Sequence, residues 1–214
     1  CSLMAMDTES LVPEINAFHP ELPIERAWMP PSSWYTSPGF YELDRQTVLR
    51  DHWVCVGRTD QVAENGSFFA GDFAQQPFVV LRDDEGVLRA FHNSCRHHAA
   101  AVAVGEGKCE ELVCPYHGWR YRLNGELKSA PRVAGIEDFR REEFALPAIA
   151  VNEWGHLIFL HFGDNVIPPV DQDFEELDEL LEETRTSDLQ FVERREQDFW
   201  RDLRSFVPVW DEMI

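Results

Sequence analysis

Two short runs hold the residues whose types and spacing suit metal and redox chemistry: Cys95-Arg96-His97 and Cys114-Pro115-Tyr116-His117-Gly118-Trp119. Each brings one thiol and one imidazole to the tip of a tight loop. The sixteen residues between His97 and Cys114 are enough for a hairpin that returns the second tip beside the first. Two thiolates and two imidazoles in this order can seat a [2Fe-2S] cluster with mixed ligands, whose reduction potential lies above that of an all-cysteine cluster. The same four donors can also make a tetrahedral zinc site, or stand unliganded in a core. Pro115, Gly118 and Asn124-Gly125 favour the cluster, because tight turns expose the backbone N–H groups that the sulfides need and that a zinc knuckle does not.

Residues from about 52 to 162 resemble the Rieske domain of the ring-hydroxylating oxygenases, particularly the branch that includes choline monooxygenase and other quaternary-amine oxygenases. The pattern Cys-x-His, sixteen residues, Cys-x2-His matches in full, and Cys114-Pro-Tyr-His-Gly-Trp119 is its most specific run. Trp34-Tyr35 and the stretch Phe40 to Gly57, with Trp53, resemble the family's lead-in. The resemblance implies that Cys95 and Cys114 share one iron and that His97 and His117 share the other, with His98 and Trp119 as neighbours of the cluster. His98 and Ala99 stand where the family has arginine and glycine. Ala100 and Tyr116 occupy the places where respiratory Rieske proteins carry a pair of stapling cysteines, which implies a lower-potential centre. Cys109 is then a spare thiol, expected to pack as a small hydrophobe.

With nineteen basic and thirty-nine acidic side chains, the chain has a net charge of −20. That repels nucleic acid and anionic membrane surfaces, so a charged partner is expected to be basic. Five cysteines lack the dense spacing of a secreted disulfide scaffold and favour a reducing compartment, the cytoplasm or an organelle interior. No apolar run has transmembrane length, and membrane insertion is not expected.

The elements that must position the loops read as a mainly β fold of short antiparallel strands with peripheral helices. Strand-sized runs fall at Val54–Val56, Phe68-Phe69, Phe73, Phe78–Leu81, Leu88–Phe91, Glu111–Val113, Arg120–Leu123 and His156–Leu160, with Asn65-Gly66, Asp84-Glu85-Gly86 and Asn124-Gly125 supplying turns between them. Phe78–Leu81 and His156–Phe162 read as interior strands, which makes His156 and His161 structural or surface residues. Upstream, prolines interrupt residues 1–39, Ser10–Phe18 is at most a short turn, and a helix capped by Asp44 is expected over Asp44–Trp53. Downstream, Asp171–Glu183 reads as one acidic amphipathic helix with Phe174, Leu177, Leu180 and Leu181 on its apolar face. The expected organisation is an N-terminal extension (1–51), a Rieske domain (52–162) and an acidic segment leading toward a catalytic domain (163–214).

In the oxygenases the Rieske domain precedes a larger domain whose two histidines and a carboxylate hold mononuclear Fe(II). Phe191-Val-Glu-Arg-Arg-Glu196 resembles the strand that introduces that domain, but Gln197–Ile214 contains no histidine. His19, His52 and His92 lack paired spacing, so no catalytic residue is expected here. The resemblance implies an electron-transfer portion of an aromatic-ring-hydroxylating or quaternary-amine oxygenase, served by a reductase or ferredoxin and assembled as a trimer when the catalytic domain is present. A stand-alone Rieske ferredoxin and a zinc-stabilised interaction module are the alternatives.

Overall fold

The computed structural model describes residues 8–133, 135–166 and 177–195. Among the described residues ten strands form two antiparallel sheets: β1 Val54–Arg58, β2 Ser67–Phe73, β3 Gln76–Arg82, β4 Leu88–His92, β5 Glu106–Lys108, β6 Leu112–Val113, β7 Arg120–Tyr121, β8 Leu127–Ser129, β9 Ala148–Trp154 and β10 Leu157–His161. The larger sheet runs β1-β10-β9-β4-β3-β2-β5 and the smaller β6-β7-β8.

Strand β3 explains how the two sheets share one body. Its four consecutive apolar residues are all buried, and they alternate between two cores as a strand's period of two requires. Val79 and Leu81 join the core that contains Cys95, Cys114, Trp119 and Tyr121, whereas Phe78 and Val80 join the one formed with Ile149, Ile158 and Leu160. An interior strand of this kind reads as an unbroken hydrophobic run, as Phe78–Leu81 does. Strand β10, between β1 and β9, is the other interior strand expected. His156, however, precedes it in a turn with φ 71°, and is exposed. His161 ends β10 fully buried; its Nδ1 accepts from Gly163 N–H at 3.2 Å, but its Nε2 finds no partner.

The strand expectations need correction in two ways. β6 and β7 are only two residues long, because the chain turns into the loops on one side and bulges on the other. Strands β5, β8 and β9 were not anticipated: β5 is the polar edge Glu-Gly-Lys, β8 is set only by the turn before it, and β9 mixes Asn152 and Glu153 into its apolar residues.

The helical expectation also shifts. The helix lies at Pro38–Gln46 (α3), not Asp44–Trp53: Ser37 Oγ accepts from Gly39 N–H at 3.2 Å and Pro38 fills the first turn. Past Gln46 the chain loosens, with Leu49 N–H reaching back five residues to Asp44 O. Short helices α1 (Val12–Asn16) and α2 (Ser32–Thr36) carry Pro13 in the first turn and follow Pro31, so prolines stand at helix starts where the sequence suggests only interruption. Downstream, α4 spans Asp178–Glu183; the first part of the expected acidic helix, with Phe174, lies outside the described residues. Asp178 accepts from Trp154 Nε1–H at 2.8 Å, and Leu181 rests on the β9–β10 turn against Gly155. Phe191–Arg195 is not a strand. It runs beside β1, held by Arg58 to Leu189 O at 2.8 Å and by Asp60 to Phe191 N–H.

Gly125 closes the β7–β8 hairpin with φ 88°, where an added Cβ would lie 2.4 Å from the buried Phe91 ring. Gly125→Ala combines backbone strain with overpacking, and a loss of roughly 2–4 kcal/mol is expected in thermal or urea unfolding.

Candidate iron–sulfur site

The first loop leaves β4 and is fastened at its base by Asn93. That buried side chain accepts from Val102 and Ala103 N–H at 2.9 and 3.1 Å and donates to Ala103 O at 2.8 Å. The second loop is the β6–β7 hairpin tip. The two loops have one hydrogen-bond scheme. Cys95 N–H donates to Ala100 O at 2.9 Å and Cys95 O accepts from Ala99 N–H at 2.8 Å; Cys114 N–H donates to Trp119 O at 2.8 Å and Cys114 O accepts from Gly118 N–H at 3.0 Å. The fifth residue of each turn is left-handed, Ala99 at φ 58° and Gly118 at φ 71°. Glycine takes that conformation without penalty, whereas alanine bears about 1 kcal/mol; the departure at Ala99 therefore keeps the turn and costs stability.

Aligning the loops on their cysteines places His98 opposite His117, and His97 opposite Tyr116. This register brings three imidazoles to the tip. The donor atoms of His97, His98 and His117 lie within 4.8 Å of one another, with ring centroids 4.6 Å apart for His97 and His117 and 3.9 Å for His97 and His98. His97 and His98 are exposed and His117 partly buried, whereas Cys95 and Cys114 beneath them are 3% and 2% exposed. The site is thus layered, thiols inside and imidazoles outside.

Two aromatic residues hold the layers together. Trp119 is buried, packs edge-on against Phe139 and Phe144, and stacks flat on His97 with centroids 4.9 Å apart and planes 4° from parallel. It therefore both anchors the second loop and orients an imidazole of the first. Tyr121, fully buried, accepts from Arg96 N–H at 3.0 Å and lies 3.2 Å from Cys95 Sγ. Toward a Cys95 thiolate, which can only accept, the phenol is the donor of this pair. Burial, then the Cys95 contact, raises the phenol pKa, so it stays a donor. Sequence reasoning missed Asn93 and Tyr121, since neither is a ligand type and only the fold brings them to the loops. Burial and the charges of His98 and His117 lower the pKa of His97, favouring the neutral imidazole that a metal requires.

Among the described residues the remaining cysteines and histidines stand apart. Cys109 is partly buried against the first core, its thiol pKa raised by burial, as expected of a spare packing residue; Cys55 is exposed on β1. His19 pairs with Glu21, and His52 with Val48 O.

The donor set fits a two-iron cluster. His117 Nδ1 is buried without a hydrogen-bond partner, an arrangement costly in a finished protein and explained by a metal at that atom. A lone zinc ion needs all four donors converging on one point at about 2.0–2.3 Å, yet the group of mutually close donors includes neither thiol. Sulfurs below and imidazoles above suit two metals, one held by each layer.

Residues 52–140 match the Rieske [2Fe-2S] domain family. The chain is 44% identical to the choline monooxygenase, chloroplastic, of Arabidopsis thaliana over 146 residues, 68% of this chain and 35% of that protein. This is a Rieske non-haem iron oxygenase family protein. It is also 37% identical over 145 residues to a glycine betaine monooxygenase oxygenase subunit of Pseudomonas aeruginosa, covering 67% of this chain and 33% of that one. Among solved structures, the quaternary ammonium Rieske monooxygenase CntA with a bound inhibitor superposes with a TM-score of 0.74 at 27% identity, over 79% of this chain and 48% of that one. The chain spans roughly a third to a half of the length of these relatives. The Rieske family member described here carries the Cys/His cluster motif, and no helix among its described residues is long and apolar enough to cross a membrane.

Tyr121→Phe is expected to retain the cluster and lower its potential. The lost hydrogen bond to a thiolate contributes about 1–2 kcal/mol in favour of the more negative reduced state, or roughly 40–90 mV for one electron. Potentiometry on the variant checks it; an unchanged potential would remove Tyr121 from the account.

Proposed function

We propose that Cys95 and Cys114 hold one iron and His97 and His117 the other, and that this chain is the electron-receiving portion of a quaternary-amine or ring-hydroxylating oxygenase. The observation that carries the reading is the orphaned Nδ1 of His117 beside His97, above two buried thiols. A [2Fe-2S] cluster held there supplies one-electron exchange. The chain's own residues keep water from the thiols, fix His97 by the Trp119 stack, donate to Cys95 through Tyr121, and leave the outer imidazole edges exposed for electron entry and exit.

In the complete protein a reductase or ferredoxin would supply electrons to a cluster held by Cys95, His97, Cys114 and His117, and in a trimer they would pass on to mononuclear Fe(II) in the neighbouring subunit. The described residues hold no second cluster of metal-ligating side chains, and we place that iron outside them; Gln197–Ile214, which lacks histidine, also lies outside. Division into an extension (1–51), the Rieske domain (52–162) and a lead into the catalytic domain (163–214) agrees with strands that run from Val54 to His161. The substrate class is a quaternary amine, on the strength of relatives named for choline and glycine betaine, and the compartment is cytoplasm or an organelle interior.

Potentiometric titration of the purified holoprotein tests the oxygenase reading. A midpoint near the low end of the Rieske range, about −150 mV, is expected, and one near +300 mV would place the centre with the respiratory type.

A further inference from the structure

The second cysteine loop carries one imidazole, and the first carries two. The shared hydrogen-bond scheme sets Cys95 against Cys114 and left-handed Ala99 against Gly118, so the fourth residue of each turn is a histidine, His98 in one and His117 in the other. His97 falls one residue earlier, opposite Tyr116. The proposed ligand pair, His97 and His117, therefore draws on unequal turn positions, and His98 is the donor that the symmetry of the two turns would select. Its ring centroid lies 3.9 Å from that of His97 and 5.3 Å from that of His117, and the donor atoms of all three lie within 4.8 Å of one another. Two imidazole positions on the outer iron thus face three candidate imidazoles.

Trp119 ranks His97 above His98. Its buried indole stacks on His97 with planes 4° from parallel and holds that ring in one orientation, whereas the ring contacts of His98 are His97, His117 and Tyr116. A ring oriented beforehand by packing binds at lower entropic cost than one that must be ordered first. We propose that His98 is a reserve ligand, which takes the coordination position of His97 on the outer iron when His97 dissociates or is removed. The inference rests on the [2Fe-2S] reading of the site. In the exchange one Fe–N bond breaks and another forms, a neutral imidazole replaces a neutral imidazole, and no electron moves. The incoming nitrogen is tethered one residue away, so recapture is intramolecular and competes with loss of the iron to solution. Arginine, which the resemblance leads one to expect at this position, offers only hydrogen-bond donors and no lone pair to a metal.

Two sets of variants test the proposal. His97→Phe keeps an aromatic ring against Trp119 and removes the donor atom; it should retain about half or more of the wild-type iron and sulfide, with a Rieske-type signal on reduction. Adding His98→Ala should abolish both, and adding His98→Cys should keep a cluster whose potential moves down toward the all-cysteine type. In the second set His97 stays in place, and the dithionite-reduced holoprotein is bleached by excess bathophenanthroline disulfonate, an iron(II) chelator. His98→Ala and His98→Arg should lose the cluster roughly three- to ten-fold faster than wild type at an unchanged potential, and His98→Cys should match wild type. A purely structural role for the ring would not let cysteine replace it while arginine fails. Folded His97→Phe without iron and sulfide, or a cluster that survives the added His98→Ala, would overturn the reserve role. Should His97→Phe lose its strands by circular dichroism, the chelator rates decide, and equal rates in wild type, His98→Ala and His98→Arg would overturn it. Wild-type protein without the cluster's visible and paramagnetic spectrum would overturn the site reading and the reserve ligand together.

Discussion

Cys114→Ala protein should be colourless, with no bound iron or acid-labile sulfide, and Cys95→Ala should behave in the same way. Both thiols are buried to within 3% and lie in the core under the loops, so each deletion removes an anchor that no neighbouring side chain can replace. The spare thiol provides the control. Cys109 packs against the same core, and Cys109→Ala should keep iron, sulfide and colour at the wild-type ratio. Iron and sulfide analysis of the three proteins, with circular dichroism to show that the strands persist, checks the assignment. Two irons retained in Cys114→Ala would refute it.

His117→Cys should keep a cluster but shift its potential downward by about 0.1–0.3 V, because a second thiolate on the outer iron moves the centre toward the all-cysteine type near −400 mV. The paramagnetic signal of the reduced protein should change with it, toward that of a plant-type cluster. The partly buried position of His117 and its unpartnered Nδ1 make it the better of the two imidazoles for this exchange. His98→Cys is the informative comparison. His98 occupies the same turn position in the first loop and lies near both other rings, yet it is outside the proposed ligand set. Its substitution should leave the potential within a few tens of millivolts of wild type, as a change beside the cluster and not in its coordination. If His98→Cys and not His117→Cys lowered the potential, the ligand set would have to be redrawn around His98.

Much of this site was legible because ligand chemistry is local. Cys95, His97, Cys114 and His117 sit at spacings that suit two facing loops, and Gly118 and Asn124-Gly125 mark turns that the backbone does make. The continuous apolar run Phe78–Leu81 also declared its interior place, since both of its faces are buried. Long-range contacts were not legible. Asn93 fastens the first loop from the end of β4, and Tyr121 reaches Cys95 from a strand twenty-six residues away; no periodicity signals either bond. The shared hydrogen-bond scheme of the two loops, which puts His98 at the tip, appears only once both turns are built. The helix near residue 40 begins at Ser37-Pro38, a stronger start signal than Asp44, which lies inside it.

The central claim is that two thiols below and two imidazoles above hold a [2Fe-2S] cluster. Its most direct test is the paramagnetic resonance spectrum of anaerobically purified protein before and after dithionite, with iron, sulfide and zinc measured on the same sample. Two irons and two sulfides per chain with a Rieske-type signal on reduction are expected; one zinc, no sulfide and no signal would contradict the account and leave a metal-stabilised binding module.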